Sequence, residues 1–154
     1  MQIGKHKISS DNRPFTICEL SANHNGNLKN ALDLVREAAK TGCSAIKLQT
    51  YTADTMTINC DKPQFKIEEG LWSGHTLYSL YHSAHTPWEW HEEIFQLARD
   101  LGLEIFSTPF DPTAVAFLEN LNVNLYKIAS FEITDIPLIE TVGETKKPVI
   151  LSTG

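Results

Sequence analysis

The segment Asn124-Leu-Tyr-Lys-Ile-Ala-Ser-Phe-Glu132 decides the fold of this chain. Its first residues form a short, mostly apolar run and its last residues are small or polar, which predicts a buried strand that opens into a loop. A lysine inside such a strand, Lys127, is costly to bury unless its ammonium group is paired, reaches solvent or has a function. Lys47 repeats the situation in Ala45-Ile-Lys-Leu-Gln-Thr50. The two strands predict two cations that converge on one anionic ligand; the alternative is two strand-end lysines that only reach solvent.

The composition fits a globular protein and excludes some functions. Of the 154 residues, 42% are hydrophobic and 21% charged, which suits one ordinary domain. The net charge of -6, without a basic block, argues against a nucleic-acid partner. No apolar run approaches the ~20 residues of a membrane span, and Met1–Lys7 lacks the core of a secretion signal, so we expect no membrane partner. Cys18, Cys43 and Cys60 are odd in number and not spaced as CxxC, which predicts free thiols in a reducing cytoplasm.

Strand and helix patterns alternate along the rest of the chain. Residues 1–14 predict a short strand and a turn that lead into one domain over residues 15–154. Five strands are predicted, at residues 15–20, 45–51, 103–108, 124–130 and 148–154. Four helices are predicted to start from capping side chains at Asn27, Thr86, Asp111 and Asp135, with Thr86-Pro-Trp-Glu89 as a capping box. Residues 52–85 predict a long, functional loop with its own short helix.

The alternation predicts an α/β fold, with a parallel sheet covered by helices. Two architectures fit: an open doubly wound sheet and a (β/α)₈ TIM barrel. No G-x-G-x-x-G follows any strand, which weakens the dinucleotide-binding form of the open sheet. Polar side chains end every strand, which is how a barrel builds its site. Because about five strands cannot close a barrel, we expect the N-terminal part of a (β/α)₈ TIM barrel, with Ile105, Ile128 and Ile150 facing its interior.

The polar strand ends suggest chemistry on an anion. Lys47 and Lys127 could clamp a phosphate or carboxylate, with hydroxyl groups as further donors; these are Thr108, Ser130 and Ser152. Lysine would serve as a point charge or, alternatively, as a Schiff-base nucleophile.

Two glutamates and several histidines leave more than one role open. Glu19 and Glu132 could orient sugar hydroxyls, hold a metal through water or act as acid and base; alternatively, each is only the ion-pair partner of a lysine. His24, in Asn23-His-Asn-Gly26, is predicted to be a structural histidine bonded to its loop backbone rather than a metal ligand. The remaining histidines have no ligand-like spacing and are predicted to be surface or loop residues; they include His75, His82, His85 and His91.

In five motifs that follow one another in order, the chain resembles the sialic acid synthase family, the phosphoenolpyruvate-dependent nonulosonic acid synthases. They are Phe15-Thr-Ile-Cys-Glu-Leu-Ser-Ala-Asn-His-Asn-Gly26, Ile46-Lys-Leu-Gln-Thr50, Ser107-Thr-Pro-Phe110, Tyr126-Lys-Ile-Ala-Ser-Phe-Glu132 and Ile150-Leu-Ser-Thr-Gly154. Three more stretches look like the pseudaminic acid synthase branch of that family. They are Leu71-Trp-Ser-Gly74, Leu77-Tyr-Ser-Leu-Tyr81 and His85-Thr-Pro-Trp-Glu-Trp90.

The resemblance implies an activity. The family condenses phosphoenolpyruvate with an N-acetylated amino sugar. In the branch that the chain resembles, the sugar is 2,4-diacetamido-2,4,6-trideoxy-altrose and the products are pseudaminic acid and phosphate. Alternatives are an N-acetylneuraminate (sialic acid) synthase that uses N-acetylmannosamine, a Schiff-base aldolase on the same barrel, and a sugar-binding or assembly module without catalysis.

The resemblance also implies an architecture and a site. Residues 15–154 would be the N-terminal portion of a TIM-barrel synthase domain, which a small antifreeze-like domain follows in a domain-swapped homodimer. The implied catalytic residues are Glu19, Lys47 and Lys127. The implied substrate-binding residues are Thr108, Ser130 and Ser152 toward phosphoenolpyruvate, and Gln49 and Glu132 toward the sugar. A divalent metal, Mn²⁺ or Mg²⁺, would be held by two histidines beyond Gly154, so no metal ligand is expected within this chain.

Overall fold

The computed structural model describes residues 1–154 and is built on a five-stranded parallel sheet. The strands are β3 (Ile17–Glu19), β4 (Ala45–Thr50), β5 (Glu104–Pro109), β6 (Tyr126–Ile128) and β7 (Val149–Leu151). Each strand pairs with the next one along the chain, in the order β3-β4-β5-β6-β7. A doubly wound sheet reverses its strand order at a switch point, whereas a barrel proceeds in one direction. The order and the curl of the sheet therefore confirm the N-terminal part of a TIM barrel.

Helices connect the strands, and three of the six begin at predicted side chains. They are α1 (Leu28–Lys40), α2 (Ala53–Met56), α3 (Leu77–Ala84), α4 (His91–Asp100), α5 (Pro112–Asn120) and α6 (Ile136–Glu144). Asn27, Asp111 and Asp135 each accept a hydrogen bond from a backbone N–H of the first turn, as predicted for helix caps. No helix combines the length and the apolar composition needed to cross a membrane. Cys18, Cys43 and Cys60 are free thiols, as predicted.

The predicted capping box at Thr86 is wrong. Helix α4 begins only at His91, after a 3-10 turn over Trp88–Trp90. Pro87 has an extended ψ of 134°, so the backbone does not enter a helix after Thr86. The Thr86 hydroxyl instead lies 3.3 Å from Nε2 of His24, a partner more than sixty residues away along the chain. The contact with His24 thus takes the hydroxyl group that the local sequence pattern assigns to a helix cap.

The amino-terminal residues close one end of the half-barrel. Where the sequence predicts one strand, the structure has a hairpin of β1 (Gln2–Ile3) and β2 (His6–Lys7). The Lys5 ammonium group donates a hydrogen bond of 2.7 Å to the Gly102 carbonyl, and its backbone N–H donates to Glu104 Oε1 at 3.2 Å. Gly4 turns the hairpin at φ +50°, and a Cβ there would lie 1.9 Å from the Glu104 carboxylate. The positive φ favours glycine at this turn, and a larger residue would have to displace the Glu104 carboxylate.

Two apolar clusters lie on opposite faces of the sheet. The larger one joins the sheet to the helices, and it contains Ile105 and Ile128. The smaller one fills the concave face near the amino-terminal ends of the strands. Its members and closest apolar neighbours are Ile3, Ala45, Phe106, Leu125, Ile8, Phe15, Ile17 and Ile150. The prediction that Ile105 and Ile128 face the barrel interior is wrong, because side chains alternate along a strand and their neighbours take that face.

The connection over residues 52–85 is more structured than predicted. It contains two short helices, α2 and α3, and a 3-10 turn over Pro63–Phe65. Between them, the backbone N–H of Ile67 donates to the His75 carbonyl at 2.9 Å, which closes a small loop. Leu71 and Trp72 lie at its tip and are exposed.

Candidate active site

The predicted site residues of the strands gather at one edge of the concave face. Strand alternation places Lys47 and Gln49 on the same face as the buried Ala45, and Thr108 on the same face as Phe106. Glu19 pairs in register with Lys47, and Gln49 with Thr108. Because all five strands are parallel, these residues meet at the carboxyl-terminal edge of the sheet.

Lys47 is buried and has an ionic partner. Its side chain is 10% exposed, and its ammonium group lies 2.8 Å from Glu19 Oε1 on the neighbouring strand. The Glu19 side chain is 59% exposed, so the pair opens toward solvent on the carboxylate side only. Glu19 thus compensates the charge of Lys47 while the carboxylate remains accessible to a ligand.

Lys127 points toward the same region from β6. Its ammonium group donates hydrogen bonds to Ser152 Oγ at 2.5 Å and to the Ile128 carbonyl at 2.8 Å. Burial, and then the nearby charge of Lys47, lower the pKa of Lys127, while Glu19 and Glu132 act against that change. The two lysines are therefore close enough to repel each other. An anion between them would relieve that repulsion and satisfy both cations.

Ser130 and Glu132 lie on the loop after β6 rather than on a strand. Ser130 directly precedes a 3-10 turn over Phe131–Thr134, and it is half-buried. Glu132 lies within that turn, and its Oε2 atom is buried without a hydrogen-bond partner. Burial raises the pKa of the Glu132 carboxyl group, and Asp135 adds to the rise. An unsatisfied buried oxygen of this kind is suited to a hydroxyl or amide donor of a ligand.

Two histidines near the site differ in how well the sequence predicts them. His24 is fully buried, and its Nδ1 accepts a hydrogen bond of 3.0 Å from the Gly26 backbone N–H, which confirms the predicted structural role. His91 was predicted to be a surface or loop residue, and that is wrong, because it is also fully buried. Its Nε2 lies 2.9 Å from the Thr50 hydroxyl. The helical spacing of His91 with Ile94, Phe95 and Ala98 is the signal that identifies it as a core residue.

The chain itself does not offer a metal site. No group of three or more His, Cys, Asp or Glu side chains is placed to hold a metal ion. Glu19, the carboxylate of the site with the greatest exposure, is already paired with Lys47. Residues 1–154 thus hold no set of three metal-ligating side chains, and the metal that the resemblance implies would need ligands from outside them.

A protein-family model connects this geometry to a known group. The model of the NeuB family matches residues 34–154. The chain belongs to the NeuB family. The chain is 48% identical over 154 residues to the pseudaminic acid synthase of Campylobacter jejuni, with coverage of 100% of this chain and 44% of that protein. It is 50% identical over 141 residues to the pseudaminic acid synthase of Helicobacter pylori, with coverage of 92% of this chain and 42% of that protein.

Solved structures of similar proteins have the same fold. An N-acetylneuraminic acid synthetase from Leptospira borgpetersenii, crystallised with citrate, superposes with a TM-score of 0.84 at 28% identity, covering 100% of this chain and 49% of that one. A spore coat polysaccharide biosynthesis protein from Bacillus subtilis gives 0.78 at 29% identity, covering 100% of this chain and 40% of that one. This NeuB-family chain thus spans less than half the length of these relatives, as expected for the N-terminal part of a barrel.

Proposed function

We propose that these residues belong to a synthase that condenses phosphoenolpyruvate with 2,4-diacetamido-2,4,6-trideoxy-altrose to give pseudaminic acid and phosphate. The observation that carries the proposal is the approach of Lys47 and Lys127 at the carboxyl-terminal edge of the sheet, with Ser152 bonded to Lys127. Two cations and a hydroxyl on one concave face suit a small substrate with both a phosphate and a carboxylate.

The residues of this chain would act mainly by positioning and charge. Lys47 and Lys127 hold the anionic groups of phosphoenolpyruvate, and Thr108, Ser130 and Ser152 donate hydrogen bonds to the same oxygens. Carbon C3 of phosphoenolpyruvate then attacks the aldehyde carbon of the open-chain sugar, and positive charge develops at C2. Glu19 orients the water that adds to C2, and phosphate leaves with cleavage of the bond between C2 and the phosphate oxygen. Of the two protons of that water, one ends on the former aldehyde oxygen and the other leaves with phosphate. Gln49 and Glu132 face the sugar.

The choice of sugar rests on graded similarity. Identity is 47–50% to three pseudaminic acid synthases. It falls to 37% and 29% for two N,N'-diacetyllegionaminic acid synthases and to 26% for an N-acetylneuraminate-9-phosphate synthase. This ranking favours a doubly acetamidated, deoxygenated sugar over N-acetylmannosamine. The segment from Leu71 to Trp90, which resembles the pseudaminic acid synthase branch, would line the sugar side of the site.

The complete protein would also need parts outside these residues. We propose that a divalent ion, Mn²⁺ or Mg²⁺, takes its ligands from outside residues 1–154, since no suitable group lies within them. As the family resemblance implies, the complete protein would be a cytoplasmic homodimer.

A chimera tests the proposed function. Residues 1–154 replace the matching 44% of the Campylobacter jejuni relative, and phosphate release is measured with phosphoenolpyruvate, Mn²⁺ and the diacetamido sugar. We expect release that requires both substrates, and a preference for the diacetamido sugar in direct competition with N-acetylmannosamine. A folded chimera without phosphate release would contradict the proposed site. Preference for N-acetylmannosamine would contradict the choice of sugar only.

A Schiff-base aldolase is the second candidate, since a lysine with a lowered pKa can act as a nucleophile. Borohydride reduction of the chimera with a keto acid separates the two mechanisms. A covalent adduct at Lys127 supports the aldolase, whereas phosphate release without an adduct supports the synthase.

A further inference from the structure

A buried chain of polar groups lies behind the candidate site, on the helix side of the sheet. The Thr50 hydroxyl of β4 lies 2.6 Å from Ser107 Oγ of β5 and 2.9 Å from His91 Nε2. Nδ1 of the same histidine lies 3.1 Å from the Pro87 carbonyl oxygen. Thr50, Ser107 and His91 are all 0% exposed. Every polar side-chain atom of these three residues thus has a protein partner, which is the condition for a stable buried network.

The partners fix the direction of each hydrogen bond. A carbonyl oxygen only accepts, so Nδ1 of His91 carries the hydrogen and donates it to Pro87. Burial lowers the pKa of His91 to about 4, so the ring is neutral at neutral pH and Nε2 is free to accept. Thr50 therefore donates to His91, and Ser107 donates to Thr50. Only one arrangement of protons satisfies every hydrogen bond of this network.

Two residues of this network, Thr50 and Ser107, are each adjacent in sequence to a candidate substrate-binding residue. Thr50 follows Gln49 on β4, and Ser107 precedes Thr108 on β5. Gln49 and Thr108 are register partners on the opposite face of the same two strands. The hydroxyl–hydroxyl bond between Thr50 and Ser107 thus ties β4 to β5 at the level where the strands present Gln49 and Thr108.

The segment over residues 86–91 is attached to the strand ends at further points. The indole N–H of Trp88 donates to the Tyr51 carbonyl, just after β4, at 3.2 Å. Thr86 lies 3.3 Å from Nε2 of His24 in the loop after β3. Because His24 Nδ1 accepts from the Gly26 backbone, its hydrogen is on Nε2 and is donated to Thr86. The two buried histidines thus require opposite tautomers.

We propose that His91 is a positioning residue of the synthase site, and that it acts through Thr50 and Ser107 to set the spacing between Gln49 and Thr108. The inference rests on the proposed function, in which Gln49 faces the sugar and Thr108 faces phosphoenolpyruvate. The network then holds the two substrates at the distance that bond formation needs. Misalignment of reacting groups lowers the rate of the chemical step more than it weakens binding.

The first test reads the tautomers and does not depend on activity. The chimera is labelled with ¹⁵N in its histidine rings, and nitrogen signals are assigned by their loss in His91→Gln and His24→Gln. We expect a neutral His91 protonated at Nδ1 and a neutral His24 protonated at Nε2. A His91 protonated at Nε2, or cationic at neutral pH, would overturn the proposal even if the chimera is an active synthase.

The second test measures kcat and KM for both substrates. Thr50→Val removes the hydroxyl while keeping the shape, and we expect kcat to fall roughly ten- to a hundredfold with little change in either KM. Thr50→Ser keeps the hydroxyl and should restore most of kcat. Val35→Ala, a buried change in α1 that touches none of these groups, is the control for lost stability alone. Equal kcat values for Thr50→Val and Val35→Ala would refute the positioning role.

A further pair of variants covers the case in which Thr50→Val does not fold. The side-chain oxygen of His91→Gln can accept from Thr50 in place of Nε2, whereas His91→Leu cannot. We expect His91→Gln to retain a kcat at least several times that of His91→Leu at comparable thermal stability. Equal kcat values for these two would also refute the proposal.

Discussion

Replacement of Lys127 by methionine should separate activity from stability. The change removes the ammonium group but keeps the length of the side chain. In the free protein that group makes two hydrogen bonds, to Ser152 Oγ at 2.5 Å and to the Ile128 carbonyl at 2.8 Å. Two equivalent bonds to a bound anion are worth about 3–6 kcal/mol in total, since each bond to a charged group contributes about 1.5–3 kcal/mol. We therefore expect kcat/KM for phosphoenolpyruvate to fall by roughly 10²–10⁴.

The same variant should unfold at a similar or higher temperature. Burial and the charge of Lys47 lower the pKa of Lys127, so the folded protein holds this charge at a cost. Replacing a buried charge by an apolar side chain of similar size is often neutral or stabilising. The assay is phosphate release by the chimera together with a thermal melt. Lys29→Met is the control, because that lysine is 80% exposed and forms only a surface ion pair. Loss of activity by less than tenfold, or a melt that collapses, would refute the reasoning.

Three other changes test the fold. Burial lowers the pKa of His91 from 6.5 to about 4, so the unfolded chain binds more protons than the folded chain between these pH values. The free energy of unfolding, measured by chemical denaturation, should therefore fall by about 3 kcal/mol as the pH drops from 6.5 to 4. An equally large fall for His91→Gln would contradict this. The 154-residue chain alone should self-associate in light scattering and release no phosphate, because β7 is an open edge and Phe131 beyond β6 is 90% exposed; a monomer with phosphate release would refute both. Gly4→Ala should destabilise the chain by about 1–2 kcal/mol more than Gly74→Ala in urea unfolding, since both have positive φ but only Gly4 meets a side chain; equal losses would show that the clash relaxes.

The order of the sheet was predictable because each strand and helix carries its own local signal. A short apolar run and a capping side chain before an amphipathic stretch are properties of a few adjacent residues, as at Asn27 and Asp111. The grouping of Lys47 with Lys127 followed from topology, since the ends of parallel strands share one edge.

The errors arose where distant residues compete for one group. The hydroxyl of Thr86 was predicted to cap a helix, but a buried histidine from the first loop takes it. His91 was judged by its lack of ligand spacing, although its position on the apolar stripe of α4 indicates burial. Ile105 and Ile128 were assigned to the wrong face because the strand boundaries alone do not say which of two alternating sets faces the helices.

The hairpin at the amino terminus closes the end of the half-barrel that lies opposite the candidate site. Ile3 seals its floor together with Ala45, Phe106 and Leu125, and Lys5 fastens the hairpin to the turn before β5 and to its first residue. These apolar side chains thus cover the amino-terminal end of the concave face, below the candidate site. Both substrates and both products of the proposed condensation would use the same entrance to the site. A sugar that bound first would therefore block phosphoenolpyruvate from reaching Lys47 and Lys127. The amino-terminal hairpin would then determine the order in which the substrates bind and the products leave.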